Sequence, residues 1–178
     1  MSMAEFTHKV PDLLVMRHSK SAYPLGVEDH DRPLNDRGRR DALAARQWFA
    51  QQALVIDQAW VSSAARAQST WSGVEPGIMP SARAHFAVRT VPELYEASVG
   101  RLLSLLSQST ASTLMVVAHN PGLEQLIDHI TARDPHDWLP QIREKYPTGA
   151  ICALRLPQWS AIGEATAELL TYAVPRAS

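Results

Sequence analysis

Three short apolar runs in this sequence each give way to residues that handle anions. "LLVMRHSKS" (13–21) delivers Arg17 and His18, "AWVSSAAR" (59–66) leads to Arg66, and "LMVVAHN" (114–120) delivers His119 with Asn120. A neutral imidazole is a nucleophile near physiological pH, and a guanidinium fork matches phosphate oxygens two at a time. Two of each, gathered in one place, would suit phosphoryl chemistry. Singly, each is an ordinary polar residue where a strand reaches the surface, so the reading requires that the three strands be parallel neighbours.

The elements that would place them are legible in the pattern. Leu13 to Met16 is an apolar run of strand length, followed by a polar loop from Ser19 to Pro33. Asn35 is the expected N-cap of a helix to about Gln52, with Ala42, Ala45, Phe49 and Ala53 on one face. "QAWVSS" predicts a second strand, with Ser63 capping the helix that begins "AARAQSTW". Gly73, Pro76, Gly77 and Pro80 predict that Trp71 to Pro92 is mostly loop, with "HFAVRTV" a strand near its end. Val99, Leu102, Leu103 and Leu106 have helical spacing, as do Leu123, Leu126, Ile127 and Ile130. "TLMVVA" between those helices is the clearest strand, and Asn120 and Pro121 are the expected cap and first residue of the second helix. "GAICALRL" and "ELLTYAV" predict two closing strands. This alternation predicts an α/β fold, a three-layer α/β/α sandwich with a mainly parallel central sheet, whose ligands bind beyond the carboxyl ends of the strands.

Composition narrows the function. A chain of 178 residues is expected to form one domain over 1–178, and 46% hydrophobic with 20% charged residues is a globular balance. A net charge of −1 argues against broad nucleic-acid binding, so any anion site is local. The single Cys152, within "AICALRL", reads as a core residue and leaves no disulfide framework. No apolar run approaches the roughly 20 residues that span a bilayer, and "MSMAEFTHKV" lacks a signal-peptide core, so no membrane association and a cytoplasmic location are expected. His8, His30, His85, His129 and His136 show no metal-ligand spacing and read as surface or loop residues.

Taken together, "VMRHSKS", "DRPLNDRGRRDA", "VSSAARAQST" and "VVAHNPGL" resemble the histidine phosphatase superfamily, which opens with an Arg-His-Gly signature. The chain looks most like its compact SixA-type phosphohistidine phosphatase branch, and "YPTGAICAL" is similar to that branch's C-terminal strand. Ser19 stands where the signature has glycine. The resemblance implies the superfamily's phosphoglycerate mutase-like fold and a metal-independent phosphatase with no cofactor. His18 would be the nucleophile, and Arg17, Arg66 and His119 would bind and stabilise the phosphoryl group, with Ser19 able to donate a further hydrogen bond. Glu96 of "VPELYEA" falls where many members carry a proton donor, and Glu93 is its rival.

The remaining expectations concern surroundings and substrate. Arg37, Arg39, Arg40 and Asp41 read mostly as a solvated helix face, Arg32 and Asn35 as residues that fix the loop, and Lys20 as a source of long-range attraction. Thr148 precedes a strand and is a further candidate for lining the pocket. The chain leaves little room for insertions covering the site, which favours phosphohistidine on a protein over a small phosphorylated metabolite. A phosphomutase and a non-catalytic phosphoryl-binding module are the other classes.

Overall fold

The computed structural model describes residues 12–52, 54–80 and 86–177; Ala53, His8 and His85 lie outside them. A seven-stranded sheet forms the middle layer, in the order β5 (Ala87–Val91), β3 (Gln58–Ser62), β6 (Thr113–Ala118), β1 (Asp12–Arg17), β8 (Ile151–Arg155), β9 (Ala167–Ala173) and β7 (Thr131–Arg133). The first four run parallel, β8 is antiparallel to both neighbours, and β7 pairs parallel with β9. The expected sandwich with a mainly parallel sheet is what forms.

Alternation along the central strands sorts side chains between two cores. Leu14 and Met16 of β1, with Met115 and Val117 of β6, pack against α1 (Asp36–Gln52) and α2 (Ala65–Val74) through Ala45, Phe49, Ala67, Trp71 and Val74. Leu13 and Val15, with Leu114 and Val116, face α3 (Val99–Leu106), α4 (Gly122–Ile130) and α5 (Leu139–Glu144) through Leu102, Leu106, Leu123, Ile127 and Ile142. A strand buried on both faces needs apolar residues at every position, which is why "LLVM" and "LMVVA" read as unbroken runs. Cys152 lies in the second core, and burial pushes its thiol far up, so it packs as an apolar residue.

Trp71 to Pro92 holds more order than its glycines and prolines predict. Helix α2 continues to Val74, a 3-10 turn covers Glu75–Gly77, and β4 (Met79–Pro80) pairs with β2 (Val55–Ile56) in a separate two-stranded sheet. Elements β7 and α5, absent from the expectation, are too short to carry a periodic signal. No helix among the described residues is long and apolar enough to cross a membrane.

Candidate active site

Strands β3, β6 and β1 are neighbours and finish at one edge of the sheet. Arg17 pairs with Ala118 at the ends of β1 and β6, and Val61 of β3 pairs with Val117. One residue further on, the rings of His18 and His119 stand 5.0 Å apart between centroids.

The His18 ring is fixed at both nitrogens. Its Nδ1 lies 2.8 Å from the carbonyl oxygen of Ser19, which only accepts, so Nδ1 carries the hydrogen. That leaves the lone pair on Nε2, which accepts from Nε of Arg66 at 3.2 Å. Burial, helped by His119, Arg66 and Arg17, holds the His18 pKa to about 3, so the ring is neutral at physiological pH. The ring thus presents a neutral imidazole whose Nε2 lone pair is turned toward a guanidinium.

Arg66 sits in the first turn of α2 and is buried. Its Nη1 donates to the Asp29 carbonyl at 2.6 Å and its Nη2 to the Asp29 carboxylate at 3.0 Å. That carboxylate also accepts from the Tyr95 hydroxyl at 2.8 Å and from Nε of Arg32 at 2.8 Å. The Tyr95 hydrogen bond above all, with Arg32 and Arg66, holds Asp29 down to about 2, so it is ionised. Asp29 and Tyr95 were not anticipated. Asp29 lies in a charge run that reads as solvated, and nothing local marks it.

His119 is held differently. Its Nε2 is 2.7 Å from Oγ of Ser62, the last residue of β3, and that oxygen accepts weakly from the Ala64 N–H at 3.4 Å. Which of the two donates in that hydrogen bond depends on the ring tautomer, and Nδ1 is buried and has no partner among the described residues. Burial, then Arg66 and Arg17, lowers the His119 pKa to about 4. Tyr95 stands edge-on to the ring with centroids 5.5 Å apart. Ser62, like Asp29, is missed by a reading confined to histidine and arginine.

Arg17 is half-buried. Its Nη1 donates to the carbonyl of Tyr146 at 2.6 Å, and Nδ2 of Asn120 donates to the same oxygen at 3.0 Å. The Tyr146 ring is fully buried, with its hydroxyl shared between the carbonyls of Val15 and Ala150 at 3.0 and 3.1 Å. One residue thus fastens the end of β1 to the start of β8 and orients Arg17 and Asn120 through its backbone. Gly149, at φ 77°, closes the same corner with an N–H shared between the carbonyls of Arg17 and His18.

Ser19 is fully buried. Its N–H donates to Oγ1 of Thr70, which in turn donates to the Arg66 carbonyl at 2.7 Å, so the strand end is tied to the helix that presents Arg66. The Ser19 hydroxyl itself has no partner among the described residues. Glu96 is exposed in the left-handed region at φ 51° and, among the described residues, makes no hydrogen bond or ion pair; Glu93 pairs with Arg101 at 3.7 Å. His30 is part of the site's rim, bonded to Ser63 at 2.9 Å and packed against Tyr95, whereas His129 and His136 are exposed.

Three expectations are corrected. Ser63 does not cap α2; Ala64 holds the N-cap position and Ser63 is taken by His30. Asn120 does not cap α4, because the N-cap is Pro121 and the Asn120 amide bonds to Glu124 and Tyr146. Asp41 is no part of a solvated face: it is buried, with Arg37 at 3.4 Å and Arg176 at 3.2 Å. Arg32 and Asn35 do fix the loop, through Ser21 and Ala22 for the former and the Gly38 N–H for the latter. Among the described residues no three His, Cys, Asp or Glu gather as metal ligands would.

Residues 13–106 match the model of the histidine phosphatase superfamily (branch 1). The chain belongs to that superfamily. Over 166 residues it is 36% identical to an uncharacterized protein of Mycobacterium tuberculosis, covering 90% of this chain and 100% of the relative. A solved protein assigned as the phosphohistidine phosphatase SixA of Nakamurella multipartita is 27% identical, with a TM-score of 0.78 over 94% of this chain and 98% of that one. One assigned as SixA of Agrobacterium tumefaciens, 23% identical, shares the fold at a TM-score of 0.75 over 94% and 100%. In this histidine phosphatase, the residues expected from sequence at the three strand ends, His18, Arg66 and His119, therefore occupy one edge of the sheet, with Arg17 beside them.

Proposed function

We propose that this phosphatase works through a phosphohistidine intermediate on His18 and that its preferred substrate is phosphohistidine on a protein. Nε2 of His18 bonds to phosphorus as the bond to the leaving atom breaks and that atom takes the electron pair. Water then bonds to phosphorus, the bond to Nε2 breaks with its electrons returning to nitrogen, and the water's proton and inorganic phosphate depart. Splitting one displacement into two is the use of such a nucleophile. Arg17, Arg66 and His119 would bind the phosphoryl oxygens and offset their charge, with Ser19 a further donor if its hydroxyl turns toward them.

The observation that carries the reading is the locked Nε2 lone pair of His18 against Arg66. The substrate choice rests on the leaving group. Asp29, the carboxylate that holds Arg66 beside His18, is ionised and already engaged by three donors, so it has no proton to give. An alkoxide needs a proton as it departs, whereas the imidazole of phosphohistidine, protonated on its other nitrogen, leaves neutral. The family's SixA-assigned neighbours bear names consistent with this choice.

The test compares kcat/KM in EDTA for a phosphohistidine-bearing carrier protein and for alkyl phosphates, with His18→Ala alongside. A preference for the carrier of about a hundredfold or more, with turnover lost in His18→Ala, is expected. Turnover that survives His18→Ala, or release of a single equivalent of phosphate, would overturn the mechanism. If an alkyl phosphate is the better substrate, Glu96 is the candidate acid, and Glu96→Gln should slow that ester about tenfold more than the carrier.

A further inference from the structure

A groove of about 450 Å³ adjoins the site at Arg17, and its lining is almost wholly cationic: Arg17, Lys20, Arg37, Lys145 and Arg176. Pro147 and Thr148 complete it, so among the described residues no aromatic ring offers a platform for a base. Its volume falls in the range of small-ligand sites. Of these cations, Arg37 and Arg176 pair with Asp41, and Glu124 acts on Arg17 through space. Arg176 is further fixed by the Thr148 carbonyl at 3.0 Å, so the chain's end is fastened along the groove. Among the described residues, Arg17, Lys20 and Lys145 form no ion pair with a carboxylate. The whole chain carries a net charge of −1, so this concentration of positive charge is local and the field it focuses is directed at one place.

Transfer of one phosphoryl group does not account for it. Arg17, Arg66 and His119 already stand around His18, and Lys20, Lys145 and Arg176 make none of the hydrogen bonds that orient its ring. We infer that the groove is a subsite for a second anionic group of the substrate, carried next to the phosphoryl group presented to His18. The inference rests on the phosphatase reading and names its substrate class: a compound with two adjacent anionic groups, bridged by Arg17. Two sources supply that chemistry, a further phosphate on a small molecule or acidic side chains flanking a phosphorylated residue on a protein.

Calorimetry on the full chain separates them without turnover. One pair of probes is methylphosphonate and 1,3-propanediylbisphosphonate; the other is a peptide bearing a phosphonate analogue of phosphohistidine, flanked by Glu or by Gln. The more anionic member of at least one pair should bind about tenfold tighter at low salt, and the pair that shows it identifies the source. In Lys20→Gln/Lys145→Gln, which changes one half-buried and one exposed lysine, that advantage should fall below about threefold. Equal affinities within both pairs, or an advantage that survives the double substitution, would overturn the subsite. Because binding is read directly, a chain that binds these probes yet turns nothing over would sink the phosphatase reading alone.

Discussion

The two histidines at the sheet edge are kept neutral chiefly by burial, with Arg66 and Arg17 beside them, and differ in the groups that hold their ring nitrogens. A carbonyl takes the hydrogen of His18 Nδ1 and so frees Nε2 as a lone pair. The Ser62 hydroxyl is bonded to His119 Nε2 instead, and Nδ1 of that ring is buried without a partner among the described residues. Ser62→Ala removes the hydrogen bond that orients the His119 ring; kcat should fall about tenfold with a smaller change in KM, and Ser62→Thr should restore it. A Ser62→Ala enzyme with unchanged kcat would show that His119 needs no such partner. The lowered pKa values set the pH response as well. An unperturbed histidine nucleophile loses activity below about pH 6.5, whereas with His18 at about 3 and His119 at about 4, kcat/KM corrected for substrate ionisation should hold to about pH 5 and fall only below it.

At the scale of elements, the site depends on a short 3-10 turn, Asp29–Asp31, reaching across to helix α2. Asp29 grips two nitrogens of Arg66 and leaves the third, Nε, on His18. Asp29→Ala should therefore lower kcat/KM about tenfold by releasing the guanidinium, and Tyr95→Phe, which removes a single hydrogen bond to that carboxylate, should cost about threefold. If the two cost the same, Asp29 is not what orients Arg66. The strands and long helices were legible because burial on two faces, or on one helical stripe, writes itself into the order of residues. His18, Arg66 and His119 were legible because the ends of parallel strands meet. Asp29, Ser62, Tyr95 and Tyr146 were not, because each acts through a partner 37 to 131 positions away, and neither spacing nor residue type records such a meeting. Asp41 was misjudged for the same reason, since its burial is decided by Arg176, 135 residues on. The loop is also packed tightly on α1, where a Cβ at Gly38 would collide with the backbone of Lys20. Gly38→Ala should lower stability by about 2 kcal/mol or more in urea unfolding and reduce activity with it, because Lys20 directly follows Ser19.

For the molecule as a whole, burying two neutral histidines makes stability depend on pH in a definite direction. The pKa of each is lower in the folded chain than in the unfolded one, where it is near 6.5, so between about pH 3 and 6.5 the unfolded state binds more protons. Stability from these groups is complete above pH 6.5 and is lost as pH falls through that value. Each should cost about 2 kcal/mol between pH 7.5 and 5. Asp29 works at the other end, its depressed pKa of about 2 giving stability that is present above about pH 4 and lost only below it, so it does not contribute in this window. Other carboxylates add a background common to wild type and variants. Urea unfolding of wild type and His18→Asn at the two pH values isolates the histidine, and the variant should lose about 2 kcal/mol less on acidification. An equal loss in both would mean that the His18 ring takes up a proton as readily in the folded chain as in the unfolded one. A nucleophile protonated in that way could not sustain turnover at pH 5, so the unfolding experiment and the pH profile of kcat/KM must agree.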